Sequence, residues 1–278
     1  MLVSANHGLH GNRRGKARFT AFEAVEFLGK AGFEAVDVNF CCTTRRGLNH
    51  EALLDGDWRE NIRRLKRELD RRGMESESTH APRACFDEPR EVYEELLRRT
   101  IEATRMLGAK YVVVHPWVSE DKTRTLTEKT IEYFSEFEAY AKTWEVTLAV
   151  ENMVSTSPEQ LLAIRDALDC GVCWDTGHAN IAGRKQYESI TTLGDALKVL
   201  HVHDNYGEKD LHNPPYSGTV DWEGFLAGLR DIGYQGALNF EVSADRIPEE
   251  ARMEHAGYLV KIGRLFVSGE NHGGDGSC

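Results

Sequence analysis

The chain alternates short apolar runs with longer amphipathic ones, eight times over, and that alternation constrains its fold more than any other feature. Strands are expected at 2–6, 34–40, 74–80, 110–115, 146–151, 171–175, 197–202 and 237–242. The run KYVVVH at 110–115 is the clearest of them. Helices are expected between them, at 20–31, 58–72, 89–107, 123–144, 158–168, 186–194, 221–232 and 248–266. In the first, Phe22, Val25, Phe27 and Leu28 recur at helical spacing, and Gly32 stops it. Parallel strands need crossovers of this length. Eight such units predict an α/β fold, a single-domain (β/α)8 TIM barrel over residues 1–267. The alternative is an open doubly wound sheet, which normally begins on a glycine-rich turn, and no GxGxxG occurs here. The polar, glycine-rich stretch 268–278 is expected to be disordered.

Composition narrows the function classes. The net charge is -11, which argues against a broad nucleic-acid surface and makes a nucleic-acid partner unexpected. Mean hydropathy is -0.48 and no apolar run reaches membrane-span length. The first sixteen residues lack the basic-then-apolar order of a signal peptide, so the expected compartment is the cytoplasm. Six cysteines in a chain this long do not make a disulfide framework. Cys170 and Cys173 form one CxxC without a second pair, and Cys41–Cys42 suggest no chemistry.

In a TIM barrel the C-terminal strand ends form the active site. The expected ends are Asn6–His7, Phe40, His80, His115, Glu151, Asp175, His201 and Glu241, with His178, His203, Asp210 and His212 just beyond. His201 and His203 share one strand face, and Asp204 points the other way. Carboxylates crowded into one mouth repel each other, and burial raises their pKa values. A divalent cation relieves both problems, because carboxylate oxygen and imidazole nitrogen are its ligands. The strand ends therefore imply a metal. Trp117, Tyr206 and Tyr216 are placed to stack on a ligand, and Arg184 and Lys185 to meet a phosphate; each is equally a plain surface or lid residue.

The motifs AVEN (149–152), DTGHAN (175–180), HVHDN (201–205), DLH (210–212) and NFE (239–241) resemble the xylose isomerase-like barrel superfamily from His7 to about residue 265. That superfamily includes sugar isomerases and epimerases, dehydratases and endonuclease IV. Resemblance to its ketose 3-epimerase branch implies one divalent ion, usually manganese, on Glu151, Asp175, His201 and Glu241; zinc, cobalt or magnesium are alternatives. It also implies that Glu151 and Glu241 exchange the substrate proton, with His178 near the substrate oxygen; His203, Trp117 and Tyr206 are separate candidate substrate contacts. Resemblance to the endonuclease IV branch implies a larger set, matched by His80, His115, His178, Asp210 and His212, which predicts a second site. That branch's DNA-gripping segments are not recognisable, and the loop CCTTRRGLNH offers only Arg45 and Arg46.

The expected activity is a metal-dependent sugar or polyol isomerase or epimerase. It would act by proton abstraction α to a carbonyl, through an enediolate. A dehydratase or lyase uses the same intermediate, and a multinuclear phosphodiesterase is the rival. The expected partner is a small sugar-derived substrate, with no membrane, and a homo-oligomer is left open.

Overall fold

The structure, a computed structural model, describes residues 1–10, 20–40, 54, 56–83, 90–117 and 123–269. Cys41, Cys42, Arg45, Arg46 and the tail from 270 onward lie outside the described residues. Eight parallel strands are present: β1 (Val3–Asn6), β2 (Ala35–Asn39), β3 (Ser78–His80), β4 (Tyr111–Val114), β5 (Thr147–Glu151), β6 (Gly171–Asp175), β7 (Leu197–His201) and β8 (Leu238–Phe240). They run in the order β7-β6-β5-β4-β3-β2-β1-β8. The ring closes at Val202, which bridges Phe240: Val202 N–H donates to Asn239 O at 2.8 Å and Glu241 N–H to Val202 O at 3.1 Å. The fold is a single (β/α)8 barrel.

The connecting helices are α1 (Ala21–Ala31), α2 (Trp58–Arg72), α3 (Arg90–Leu107), α4 (Leu126–Thr143), α5 (Pro158–Leu168), α6 (Thr176–Ile181), α7 (Gln186–Leu193), α8 (Trp222–Asp231) and α9 (Arg252–Ser268). Their starts follow from local chemistry. Thr20–Glu23, Thr125–Glu128 and Ser157–Gln160 form reciprocal capping boxes that satisfy otherwise orphaned backbone N–H groups. Gly32, at φ +97°, ends α1 in the left-handed region that glycine tolerates. Among the described residues no helix is long and apolar enough to cross a membrane.

Side-chain alternation divides the barrel. Val36 and Val38 turn outward into the helix-facing core, so Asp37 between them turns inward. The inside of the barrel has two halves. Under β4–β7 it is apolar, a separate cluster of Val113, Ala149, Cys173 and Val199 capped by Tyr111. Under β8–β3 it is polar: Ser4 donates to Asn239 Oδ1 at 3.3 Å and Ser78 to Asp37 Oδ2 at 2.6 Å. Burial pushes the Asp37 carboxyl up from its ordinary range.

Two details depart from the sequence expectation. Helix α6 starts on the residue after β6; six residues are too few for a periodic signal. Residues His115 and Glu241 lie just past strands that end at Val114 and Phe240. This keeps both at the barrel mouth.

Candidate metal centre

Three groups of potential ligand atoms lie at the mouth, each with its members within 4.8 Å of one another. Glu151, Asp175, His201 and Glu241 make the first; His80, His115 and Glu151 the second; His203, Asp210 and His212 the third. The first is the four-residue set expected from the sequence. Of the additional residues, His80 and His115 fall in the second group and Asp210 and His212 in the third, where His203 joins them, while His178 belongs to none of the three.

Glu151 is common to two groups, and imidazoles meet both its oxygens. Oε2 lies 3.2 Å from His80 Nε2 and 3.0 Å from His115 Nε2. Oε1 lies 3.1 Å from His201 Nδ1 and 3.6 Å from His178 Nδ1. Glu241 is different. Its Oε2 is 3.2 Å from His201 Nδ1, and its Oε1 accepts from the Asn6 amide at 3.2 Å. The Glu241 side chain is 16% exposed, against 2% for Glu151.

The backbone positions these groups. Asp175 ends β6 and caps α6, accepting His178 N–H at 2.6 Å. Asn152 clamps it from β5: its Oδ1 accepts Asp175 N–H at 2.5 Å and its Nδ2 donates to Asp175 O at 3.0 Å. Thr176 Oγ1 donates to His203 O at 2.6 Å and accepts His203 N–H at 3.0 Å. His203 Nε2 then lies 2.9 Å from Asp175 Oδ2. This approach needs Gly177, because a Cβ there would sit 2.0 Å from His203 Cε1. His212 adopts φ +49° and stacks on His203, with ring centroids 4.1 Å apart.

The tautomers can be read from the carbonyls. A carbonyl only accepts, so a ring nitrogen beside one carries its proton. His80 Nδ1 donates to Ala81 O at 2.9 Å, His178 Nδ1 to Asn152 O at 2.9 Å, and His212 Nδ1 to Glu241 O at 2.6 Å. All three turn Nε2 towards a carboxylate of the mouth, Glu151 for His80 and Asp210 for His178 and His212, and an imidazole oriented in this way by one ring N–H can offer its other nitrogen to a metal. Among the described residues the carboxylates of Glu151, Asp175, Asp210 and Glu241 have no lysine or arginine partner. Carboxylates that face imidazoles and no fixed cation fit a divalent cation.

The electrostatics agree. Burial opposes ionisation of Glu151, but the His201 and His115 imidazoles outweigh it and hold the carboxyl well below its usual range. Burial also opposes charge on His201, yet the neighbouring Cys173, Glu241 and Glu151 raise it well above an ordinary histidine. His178 and His212 are each pushed up to about 10, against burial: Asp175 and Asp210 act on the former, Asp210 on the latter. Burial alone dominates His115 and lowers it.

Other expected residues have plainer surroundings. Trp117 lies flat on Tyr133, 3.5 Å between centroids and 4° between planes, so that face is taken. Tyr206 and Tyr216 are exposed on the loop after β7. Lys185 pairs with Glu188 at 3.0 Å on an exposed helix start. The buried Cys170 and Cys173 belong to none of the three groups. Asn6 and Asn152 had no role in the sequence reading, although Asn152 closes the AVEN motif.

Comparison with known proteins gives a consistent picture. A probable endonuclease 4 from Listeria monocytogenes is 30% identical over 185 residues, 59% of this chain and 58% of that protein. An inosose isomerase from Bacillus licheniformis is 25% identical over 171 residues, 55% of this chain and 60% of that protein. The chain thus spans between half and two thirds of the length of the curated relatives it matches. A solved IolI protein with a bound zinc atom superposes with a TM-score of 0.75 at 18% identity, covering 97% of this chain and 99% of that one, which speaks to the fold. The family described as xylose isomerase-like TIM barrel matches residues 25–262, and the chain belongs to it.

Proposed function

We propose that the protein is a divalent-metal-dependent isomerase or epimerase of a sugar or polyol ketone, acting by proton abstraction α to the carbonyl. Glu151, Asp175, His201 and Glu241 would hold the principal ion, manganese or zinc, which when bound supplies Lewis acidity at the substrate carbonyl. The observation that carries the reading is the inequality of the two glutamates. Glu151 has imidazoles on both oxygens, whereas Glu241 meets one imidazole and one neutral amide and is the more exposed. Glu241 is therefore the carboxylate suited to take the proton, and Glu151 serves as a ligand.

In this reading the C–H bond α to the carbonyl breaks and its proton passes to Glu241. The electron pair moves onto the carbonyl oxygen, where His178, charged beside Asp175 and Asp210, gives up a proton. Return of a proton to the opposite face of that carbon, from a donor across the substrate such as Glu151, gives the epimer, and return from Glu241 to the neighbouring carbon gives the isomer. The relationship to an inosose isomerase supports a polyol-derived ketone as substrate.

The test is proton NMR in deuterium oxide, with a panel of ketoses and inososes and added manganese or zinc. Deuterium should enter the α position with the wild type and not with Glu241→Gln. No exchange across the panel, together with cleavage of a phosphodiester such as abasic-site DNA, would replace this reading with a second one. That second reading, metal-assisted phosphodiester hydrolysis, is favoured by the three ligand groups and by the similarity to endonuclease 4.

A further inference from the structure

Glu241 follows β8 and Asn6 ends β1, two neighbouring parallel strands. Asn6 is 6% exposed, and its side-chain amide is engaged at both ends. Its Oδ1 accepts Gly8 N–H at 2.7 Å, and its Nδ2 donates to Glu241 Oε1 at 3.2 Å. A backbone N–H can only donate, so the amide has one permitted orientation: oxygen to Gly8, nitrogen to Glu241. The first turn after β1 sets this lock. A Cβ on Gly8 would already lie 3.0 Å from Asn6 Oδ1, so glycine lets the backbone close on the amide.

The lock has a chemical consequence. A lysine or arginine in the same place would neutralise Glu241 and compete with a cation for it. A neutral amide fixes one oxygen and leaves the negative charge available. The other oxygen is left facing His201, whose Nδ1 is also shared with Glu151.

We propose that Asn6 is a positioning residue for Glu241. Its backbone-locked amide fixes the carboxylate plane, so that one oxygen enters the principal metal group while the charge is kept for the substrate proton. The last clause rests on the carbon-acid reading; the positioning itself does not.

Two variants separate the contributions. Asn6→Asp keeps the shape and the acceptor for Gly8 but removes the donor to Glu241. Asn6→Ala removes both. Cobalt(II) is titrated into each metal-free protein, and the visible d–d spectrum, cobalt affinity and melting temperature are recorded. The expected result for Asn6→Asp is a changed spectrum and cobalt affinity altered by tenfold or more, with the metal-free melting temperature kept within a few degrees. Asn6→Ala should change the spectrum in the same way. A wild-type spectrum and affinity in Asn6→Asp would overturn the proposal. So would a spectral change that appears only in proportion to lost melting temperature, because that is a structural role. If Asn6→Asp shifts the cobalt spectrum while the wild type exchanges no substrate deuterium, the positioning stands and the carbon-acid reading fails.

Discussion

Replacing His80 and His115 together by alanine should remove one metal ion per chain and leave the others. The two imidazoles supply everything in the second group except Glu151, whose other oxygen belongs to the first group. The double variant leaves a lone carboxylate oxygen there, which cannot compete with water for a divalent ion. The first and third groups keep all their atoms, so saturated wild type should hold three ions and the variant two. Thermal melting gives a second measure. A site filled at a hundred times its Kd stabilises the fold by about 2.7 kcal/mol. In a chain of this size that is roughly 5–10 °C of melting temperature. Elemental analysis after gel filtration, and melting with and without added zinc or manganese, should show the variant losing one equivalent and that share of the metal-induced rise. An equal metal content in both proteins would refute the assignment of the second group and make His80 and His115 substrate contacts. No bound ion in either, with metal supplied, would refute the argument from the strand ends.

Two further outcomes follow from the geometry. His178 and His212 sit near 10 in the metal-free fold against an ordinary 6.5. Their charged forms therefore stabilise the fold fully below about 6.5, and this contribution is lost as pH rises through about 10. The melting temperature of the metal-free protein should fall over that window, and loading metal at pH 8 should release protons. Calorimetric heats that do not depend on the buffer's ionisation enthalpy would contradict this. Gly177→Ala drives a methyl into His203 and should cost about 1–3 kcal/mol. A variant that melts with the wild type and keeps its full metal content would show that the close approach is dispensable.

The barrel was legible because each strand is a compact apolar run and each helix carries its own stop, as with KYVVVH and Gly32. That Glu151, Asp175, His201 and Glu241 come together was legible because they sit at strand ends, where sequence position fixes spatial position. His203 was harder. Alternation placed it on the same face as His201, but two residues of strand carry it roughly 6–7 Å farther along. It thus meets Asp210 and His212 instead of Glu241. Asn6 and Asn152 were not legible, because an asparagine at a strand end is commonplace and only its partner gives it a role. For Asn6 that partner is 235 residues away. Trp117 was read as a stacking surface or equally a lid, and nothing in the sequence said that Tyr133 already covers one of its faces.

The ring of strands is joined between β7 and β8 through one residue, Val202. His201 and His203 flank that residue on one side of the seam, and Glu241 donates its backbone N–H to it from the other. A ligand gripping His201 and Glu241 at once would therefore act as a rivet across the weakest joint of the barrel. Occupancy of the mouth and integrity of the wall become one property: an empty site is where the cylinder should first part, and a filled one is where it is hardest to open.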